Sequence, residues 1–231
     1  MLPQKTPLQE VIIEAWHMRV WRRYQESWFD KYFRFSAPFA LSFFTLSIVA
    51  NYYAGIYATS RASNYVEDIV LSNIPAFDVD IFFVYGAVLL VAVIFWLCFG
   101  NPKRIPFLLH SLTLFIFIRA AFVSMTHLGP FPTAILVDDV QIFFSKYFLF
   151  GGDLFFSGHT GIPFLMALMF WHRPMLRYLF LAWSVFFGVI VLLGHLHYTI
   201  DVASAFFITY GIYHAALWFF PRERILFLSD R

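Results

Sequence analysis

Long apolar stretches alternate with short polar segments along the 231 residues of the chain. A helix that crosses a bilayer needs about 20 apolar residues, because the hydrocarbon core is about 30 Å thick. Six stretches reach or approach this length, at about 36–57, 79–99, 105–126, 157–172, 177–196 and 202–220. The fourth is short, so we expect it to begin within 147–156, or to be tilted or locally sunk. The pattern predicts an all-α polytopic membrane protein with six transmembrane helices.

Composition supports this interpretation and excludes several classes of protein. Hydrophobic residues make up 61% of the chain and charged residues 13%, which is outside the usual range of soluble domains. The single cysteine, Cys98, lies in an apolar run, so neither a disulfide framework nor a cysteine metal site is indicated. No metal-binding motif is visible, and we expect no cofactor. We expect no nucleic-acid partner, and nothing in the sequence favours a particular oligomeric state.

Basic residues are distributed unevenly between the two sets of loops. Thirteen of the sixteen lysines and arginines lie before the first stretch, between the second and third, between the fourth and fifth, or after the sixth. The other loops carry only Arg61 and Lys146, and Arg119 lies inside the third stretch. Because basic loops stay in the cytoplasm, both termini are predicted to be cytoplasmic.

This topology divides the chain into three parts. Residues 1–35 form an N-terminal cytoplasmic arm, 36–220 a six-helix transmembrane catalytic domain, and 221–231 a cytoplasmic tail. Basic and aromatic residues are mixed in the arm, which suits a helix that lies in the membrane interface. A solvated segment leading into the first span is the simpler alternative.

Two polar segments interrupt the apolar pattern at the ends of predicted spans. The first, 151–160, reads Gly-Gly-Asp-Leu-Phe-Phe-Ser-Gly-His-Thr, and the second, 195–202, reads His-Leu-His-Tyr-Thr-Ile-Asp-Val. With six spans, His159, His197 and Asp201 all fall on the extracytoplasmic side, where they can converge. Ionisable groups are costly next to hydrocarbon, so this cluster is a candidate functional site. His197 and Asp201 are four residues apart, and on one helix the carboxylate can hold one ring nitrogen of the histidine.

These segments resemble two motifs of the sphingomyelin synthase family, a branch of the lipid phosphate phosphatase (phosphatidic acid phosphatase type 2) superfamily. The family's third motif is Cys-Gly-Asp, three residues and Ser-Gly-His-Thr, and here Gly151 replaces the cysteine. The fourth motif, His-Tyr-Thr, one residue and Asp-Val, is intact at 197–202. Arg119 with Thr126 and the 73–78 loop resemble the second and first motifs more loosely. The resemblance implies a lipid phosphate phosphatase-like bundle with its active site at the extracytoplasmic face.

The resemblance also implies a reaction. A phosphocholine- or phosphoethanolamine-type headgroup would pass from a glycerophospholipid donor to a lipid-alcohol acceptor such as ceramide or diacylglycerol. His197 is the candidate nucleophile, which would form a phosphohistidine intermediate, and Asp201 would orient and stabilise its ring. His159 is the candidate general acid and then base. Alternatively, Asp201 only caps the sixth helix and His197 is only an interfacial residue.

Candidate substrate-binding residues surround this catalytic set. Arg119 lies toward the extracytoplasmic end of its span and would bind phosphate or headgroup oxygens, unless it snorkels to the interface. Asp153 would face a cationic headgroup, and the other acidic residues on this side, including Asp68, are expected to be solvated. The rest of the predicted binding set consists of Ser157, Gly158, Thr160 and Tyr198. The first three open a helix whose amides favour a phosphate, although Ser157 would also serve as a simple cap. His195 is a candidate for a supporting position behind His197.

Two further functions remain open. Water could replace the lipid alcohol, which would make the protein a lipid phosphatase or a phospholipase C type hydrolase. The chain could also be a non-catalytic membrane scaffold or transporter that retains the motifs.

Overall fold

The computed structural model describes residues 16–135 and 153–229, and within these ranges the chain forms helices and turns without a strand. The helices are α1 (Trp16–Phe29), α2 (Lys31–Arg61), α3 (Asp80–Phe99), α4 (Ile105–Met125), α5 (Gly158–Met169), α6 (Pro174–Leu193), α7 (Thr199–Phe219) and α8 (Pro221–Leu228). A short 3₁₀ turn, Pro102–Arg104, joins α3 to α4. The all-α prediction is confirmed for the described residues.

Five of these segments are long and apolar enough to cross a membrane: α2, α3, Pro102–Met125, α6 and α7. The predicted fourth span corresponds to α5, which has only 12 residues. At a rise of about 1.5 Å per residue it is about 18 Å long, less than the hydrocarbon thickness of about 30 Å. The six-span prediction is therefore not confirmed, and the described residues provide five candidate spans.

Polar contacts lie at both ends of α5. Ser157 caps its first turn, because its side-chain oxygen accepts a hydrogen bond from the backbone N–H of Thr160 at 3.4 Å. At the other end, Nη1 of Arg224 in α8 donates to the carbonyl oxygen of Met169 at 3.1 Å. Most of α5 is buried, and it packs mainly against α6 and α7. It is a core helix surrounded by longer ones.

The bundle has two distinct ends. At one end, Tyr32 at the start of α2 donates a hydrogen bond to Glu223 in α8, and Arg23 in α1 donates to the carbonyl of Gly100 at 2.8 Å. The helices at the two ends of the described chain therefore meet at the same end of the bundle. At the opposite end, backbone hydrogen bonds join the loops, from 63 to 127, 77 to 193 and 157 to 201. Which end faces the cytoplasm stays a prediction.

Helix α1 exposes the aromatic side chains of Trp21 (66%), Trp28 (58%) and Phe29 (88%). Exposed aromatic residues on a short helix beside a bundle suit the interface of a membrane, where their rings are half-solvated. The interfacial position of the N-terminal arm stays a prediction, and its first 15 residues lie outside the described residues.

Candidate active site

His197 lies in the turn just before α7, and its ring is fixed by a backbone carbonyl. Nδ1 of His197 is 2.8 Å from the carbonyl oxygen of Leu154 and 3.5 Å from Oδ2 of Asp201. Because a carbonyl oxygen only accepts hydrogen bonds, Nδ1 must carry the proton. The other nitrogen, Nε2, then keeps its lone pair in the neutral ring. The contact with Leu154 therefore selects the tautomer in which Nε2 is available for chemistry.

Asp201 combines the two roles that the sequence left open. It is fully buried, and its Oδ2 accepts the backbone N–H of Tyr198 at 2.9 Å, which completes a capping box at the start of α7. The same oxygen faces the His197 ring. Since α7 begins at Thr199, the pair does not share a helix as the spacing suggested. The turn before the helix brings them together instead, and a negative charge there stabilises a positive imidazole.

Asp68, in the loop between α2 and α3, fixes the start of α7. Its carboxylate accepts hydrogen bonds from the backbone N–H and the hydroxyl of Thr199, at 2.7 and 2.6 Å. It also accepts the backbone N–H groups of Val70 and Leu71. Burial raises the pKa of Asp68, but these hydrogen bonds outweigh it and hold the pKa below its ordinary value. The expectation of a solvated side chain was wrong, because Asp68 is only 9% exposed.

Arg119 is buried and holds the segment before α5 in place. Its Nε donates to the carbonyl of Phe156 at 2.9 Å, and its Nη1 donates to Oδ2 of Asp153 at 2.9 Å. Nη2 donates to the backbone carbonyl of Asp153 at 3.2 Å and lies 2.7 Å from Oδ1 of the same residue, so the two side chains form a close ion pair. Arg119 is 9% exposed, and its guanidinium is bonded within the protein. The direct contacts of Arg119 with phosphate and of Asp153 with a cationic headgroup stay predictions, since the two side chains bind each other here.

Gly158 makes this arrangement possible. A methyl group at its Cα would lie 3.3 Å from Nε of Arg119, so the guanidinium packs directly on the first residue of α5. A larger residue here would push the guanidinium away by a few tenths of an ångström, so glycine allows the closest approach. A positive group and the first amides of a helix then lie side by side, an arrangement that favours an anion.

His159 follows as the second residue of α5. Its ring contacts the rings of Phe83 in α3 and Phe187 in α6, with centroids 4.3 and 5.7 Å away. Burial and then the positive charges of His197 and Arg119 lower the pKa of His159. The structure therefore brings the two histidines of the motifs and the buried arginine into one electrostatic environment, with aromatic walls on the side of His159.

Ser157, Thr160 and Tyr198 are buried and bonded within the protein. The hydroxyl of Thr160 is 3.2 Å from that of Ser157, and the hydroxyl of Tyr198 donates to the carbonyl of Gly129 at 2.8 Å. Burial raises the pKa of Tyr198. These contacts are structural, and a role of these side chains in substrate binding stays a prediction.

His195 makes its hydrogen bond away from His197. Its Nδ1 lies 2.5 Å from the hydroxyl of Thr133, and burial lowers its pKa. Its φ of 53° is in the left-handed region, where the chain reverses between α6 and α7. His195 thus ties this reversal to the 126–135 loop. Gly151, with which the third motif begins, lies outside the described residues.

The described residues contain no group of three or more histidine, cysteine, aspartate or glutamate side chains that could hold a metal ion. The chemistry available among them is that of two imidazoles, a buried carboxylate and a buried guanidinium. The sequence did not predict two groups of this site, the carbonyl of Leu154 and the carboxylate of Asp68. An acidic residue in a loop rich in apolar residues was the only available signal for the second.

Comparison with known proteins agrees with this chemistry. Residues 151–217, which contain His159, His197 and Asp201, match the sequence model of the family described as PAP2 superfamily C-terminal. No curated protein and no solved structure matches the chain significantly. The sphingomyelin synthase branch is not confirmed by this match. The match covers less than a third of the chain, and it supports a likeness of this C-terminal part to the phosphatidic acid phosphatase type 2 superfamily.

Proposed function

We propose that the protein is an integral-membrane lipid phosphotransferase that moves a phosphorylated headgroup from a glycerophospholipid to a lipid alcohol. The observation that carries this proposal is the geometry of His197. Its Nδ1 is held by the carbonyl of Leu154 at 2.8 Å, with the carboxylate of Asp201 at 3.5 Å. A ring fixed in this way presents Nε2 as a nucleophile, and a negative charge stands ready for the positive ring that attack on phosphorus creates.

In the first step, Nε2 of His197 attacks the phosphorus of the donor headgroup. The new N–P bond forms as the P–O bond to the diacylglycerol breaks. His159, which the bound anionic phosphate must keep protonated against its lowered pKa, gives this proton to the leaving oxygen, so that neutral diacylglycerol departs. The ring of the phosphohistidine keeps its Nδ1 proton and becomes positive, and Asp201 stabilises that charge.

In the second step, the hydroxyl of the lipid alcohol gives its proton to His159, which is now neutral. The hydroxyl oxygen attacks phosphorus, the N–P bond breaks, and the lone pair returns to Nε2 of His197. Both histidines regain their starting protonation states, so each cycle balances without a further reactant.

Shielding from water supports a lipid alcohol as the acceptor. His197 is 6% exposed and Asp201 is fully buried. The ring of His159 lies against Phe83 and Phe187. A site of this kind gives water less access than an open one, which favours transfer over hydrolysis. Hydrolysis by the same residues is the second candidate. The match to a superfamily of phosphatases and phosphotransferases favours hydrolysis and transfer equally.

A purified enzyme assay separates these possibilities. Protein in mixed micelles receives phosphatidylcholine or phosphatidylethanolamine, with and without ceramide or diacylglycerol, and both the new phospholipid and the free phosphorylated headgroup are measured. The proposal predicts product only when a lipid alcohol is present. Equal release of free headgroup without it would remove the transferase assignment and leave the hydrolase. No turnover of any phospholipid would favour the scaffold or transporter.

Two substitutions test the residue assignments in the same assay. His197→Ala should abolish turnover, and His159→Ala should lower it by about 10²- to 10⁴-fold, the usual contribution of a general acid–base group. His214→Ala is the matched control, because His214 is exposed on α7. Full activity in His197→Ala with correctly folded protein would rule out the mechanism.

A further inference from the structure

A pocket lies at the end of the bundle opposite the candidate active site. It is a cavity of about 640 Å³ between the start of α2, α4 and the junction of α7 with α8. Its lining includes Lys31, Tyr32, Phe35, Phe39, Phe220 and Glu223. Asp201 is the third residue of α7 and Phe220 follows its last, so the pocket and the site are separated by about 30 Å, nearly the full length of that helix.

A buried carboxylate forms the polar floor of this pocket. Glu223 is only 9% exposed, and Tyr32 and Ser36 both donate hydrogen bonds to its Oε1. Two neutral hydroxyl groups do not neutralise a carboxylate, and a buried negative charge is costly unless it is paired. Glu223 therefore gives this pocket a negative charge, which a positive group on a ligand would stabilise.

Aromatic rings form the walls beside this carboxylate. Phe220 stacks on His110 with ring centroids 4.3 Å apart, and the ring of Phe39 lies 6.0 Å from that of His110. Aromatic faces attract ammonium groups, including quaternary ones. A carboxylate with aromatic neighbours is the combination that selects an organic cation over a metal ion.

The rim of the pocket carries the opposite charge and adjoins an exposed apolar surface. Lys31, the first residue of α2, is exposed at the rim and lines the pocket with Glu223. Phe35 and Phe39 project from α2, a candidate membrane span, and are 65% and 57% exposed. A negative floor, a positive rim and an apolar side match the three parts of one molecule: an ammonium, a phosphate and an acyl chain.

We infer that this pocket binds a zwitterionic phospholipid with an ammonium headgroup, in the leaflet opposite the candidate active site. The ammonium contacts Oε2 of Glu223, the phosphate contacts Lys31, and an acyl chain lies along Phe35 and Phe39. This site does not depend on the proposed reaction, because none of its residues belongs to the candidate active site.

Lipid binding to the full-length protein tests the inference. Protein in a neutral detergent is titrated with dioleoyl phosphatidylethanolamine or dioleoyl phosphatidylcholine, and bound lipids are counted by native mass spectrometry. Dioleoyl phosphatidylglycerol has the same chains and phosphate without the ammonium, so it should bind more weakly at this site. Soluble phosphoethanolamine at the same concentration should not displace the lipid, because it lacks the acyl chains.

Variants assign the binding to this pocket. Glu223→Gln keeps the acceptor for Tyr32 and Ser36 but removes the charge, and it should weaken one ammonium-lipid site by about 10- to 100-fold. Binding of phosphatidylglycerol should not change. The matched control is Glu26→Gln, which removes an exposed carboxylate on α1. Lys31→Gln changes an exposed residue and should weaken binding about 2- to 5-fold. This variant tests the site even if Glu223→Gln does not fold.

Three results would overturn the inference. The first is equal binding of phosphatidylglycerol and phosphatidylethanolamine by the parent protein. The second is unchanged binding of the ammonium lipids by both Glu223→Gln and Lys31→Gln. The third is displacement of the lipid by soluble phosphoethanolamine, which would assign the pocket to a free headgroup compound.

Discussion

Replacing Asp153 by asparagine isolates the charge of the buried pair that holds the segment before α5. The side chain keeps its size, but Arg119 loses the negative partner that lies 2.7 Å from its Nη2. The side chains of Arg119 and Asp153 are 10% and 8% exposed, so water cannot replace the missing charge. Removing one partner of such a buried pair costs about 3–5 kcal/mol.

This cost translates into a measurable change in melting temperature. For a domain of this size, about 1 kcal/mol shifts the melting temperature by about 2–4 °C, so Asp153→Asn should melt about 6–20 °C below the parent. Thermal unfolding in detergent, followed by tryptophan fluorescence, measures the shift. Glu67→Gln is the matched control, because it removes an exposed acidic charge from a loop at the same end. The control should melt with the parent protein.

A double-mutant cycle tests whether the pair itself is responsible. Arg119→Met with Asp153→Leu removes both charges and leaves no buried ion without a partner. The combined variant should be more stable than the sum of the single changes predicts, by about 1–3 kcal/mol. If Asp153→Asn melts within about 2 °C of the parent, less than the smallest shift expected here, the pair does not fix this segment and the reasoning is refuted.

Two further predictions concern packing and pH. Gly161→Ala should destabilise the protein by about 1–3 kcal/mol, because the added methyl group would lie 2.7 Å from the Phe115 ring. Gly211→Ala is the control in the same melting assay. It should be neutral or slightly stabilising, because the space around the Cα of Gly211 is open. Asp68→Asn should lower the melting temperature at neutral pH, where the ionised carboxylate accepts the hydrogen bonds of Thr199. Folding lowers the pKa of Asp68, so its carboxylate stabilises the folded protein fully above the unfolded pKa of about 4. This stabilisation is lost as the pH falls through the folded pKa. The difference in melting temperature between Asp68→Asn and the parent should therefore narrow in acid. A constant difference at all pH values would contradict that assignment.

The helical architecture follows from patterns that are local in the sequence. Apolar length alone predicts the five long segments, and the polar interruptions at 151–160 and 195–202 mark where the candidate site lies. The short length of α5 was also visible, because its apolar run was the shortest of the six. Ser157 caps this helix from the adjoining position and was visible in the sequence, whereas the contact of Arg224 with its last residue is tertiary and was not.

The partners of the motif residues were harder to predict. The spacing of His197 and Asp201 suggested a shared helix, whereas the contact arises from a turn, and the closest partner of the ring is a backbone carbonyl. Every residue has such a carbonyl, so no sequence signal distinguishes that of Leu154. The pair of Arg119 with Asp153 is different, since a buried arginine in an apolar helix requires an acidic partner. The motif at 151–160 contains such a residue, Asp153.

Trapping of the intermediate tests the central claim most directly. The enzyme is mixed with excess donor phospholipid without acceptor, quenched in alkali to preserve an N–P bond, digested and examined by mass spectrometry. The account predicts the phosphorylated headgroup on the peptide that contains His197, and no adduct in His197→Ala. Attachment to another residue, or continued turnover with no adduct on His197, would contradict it.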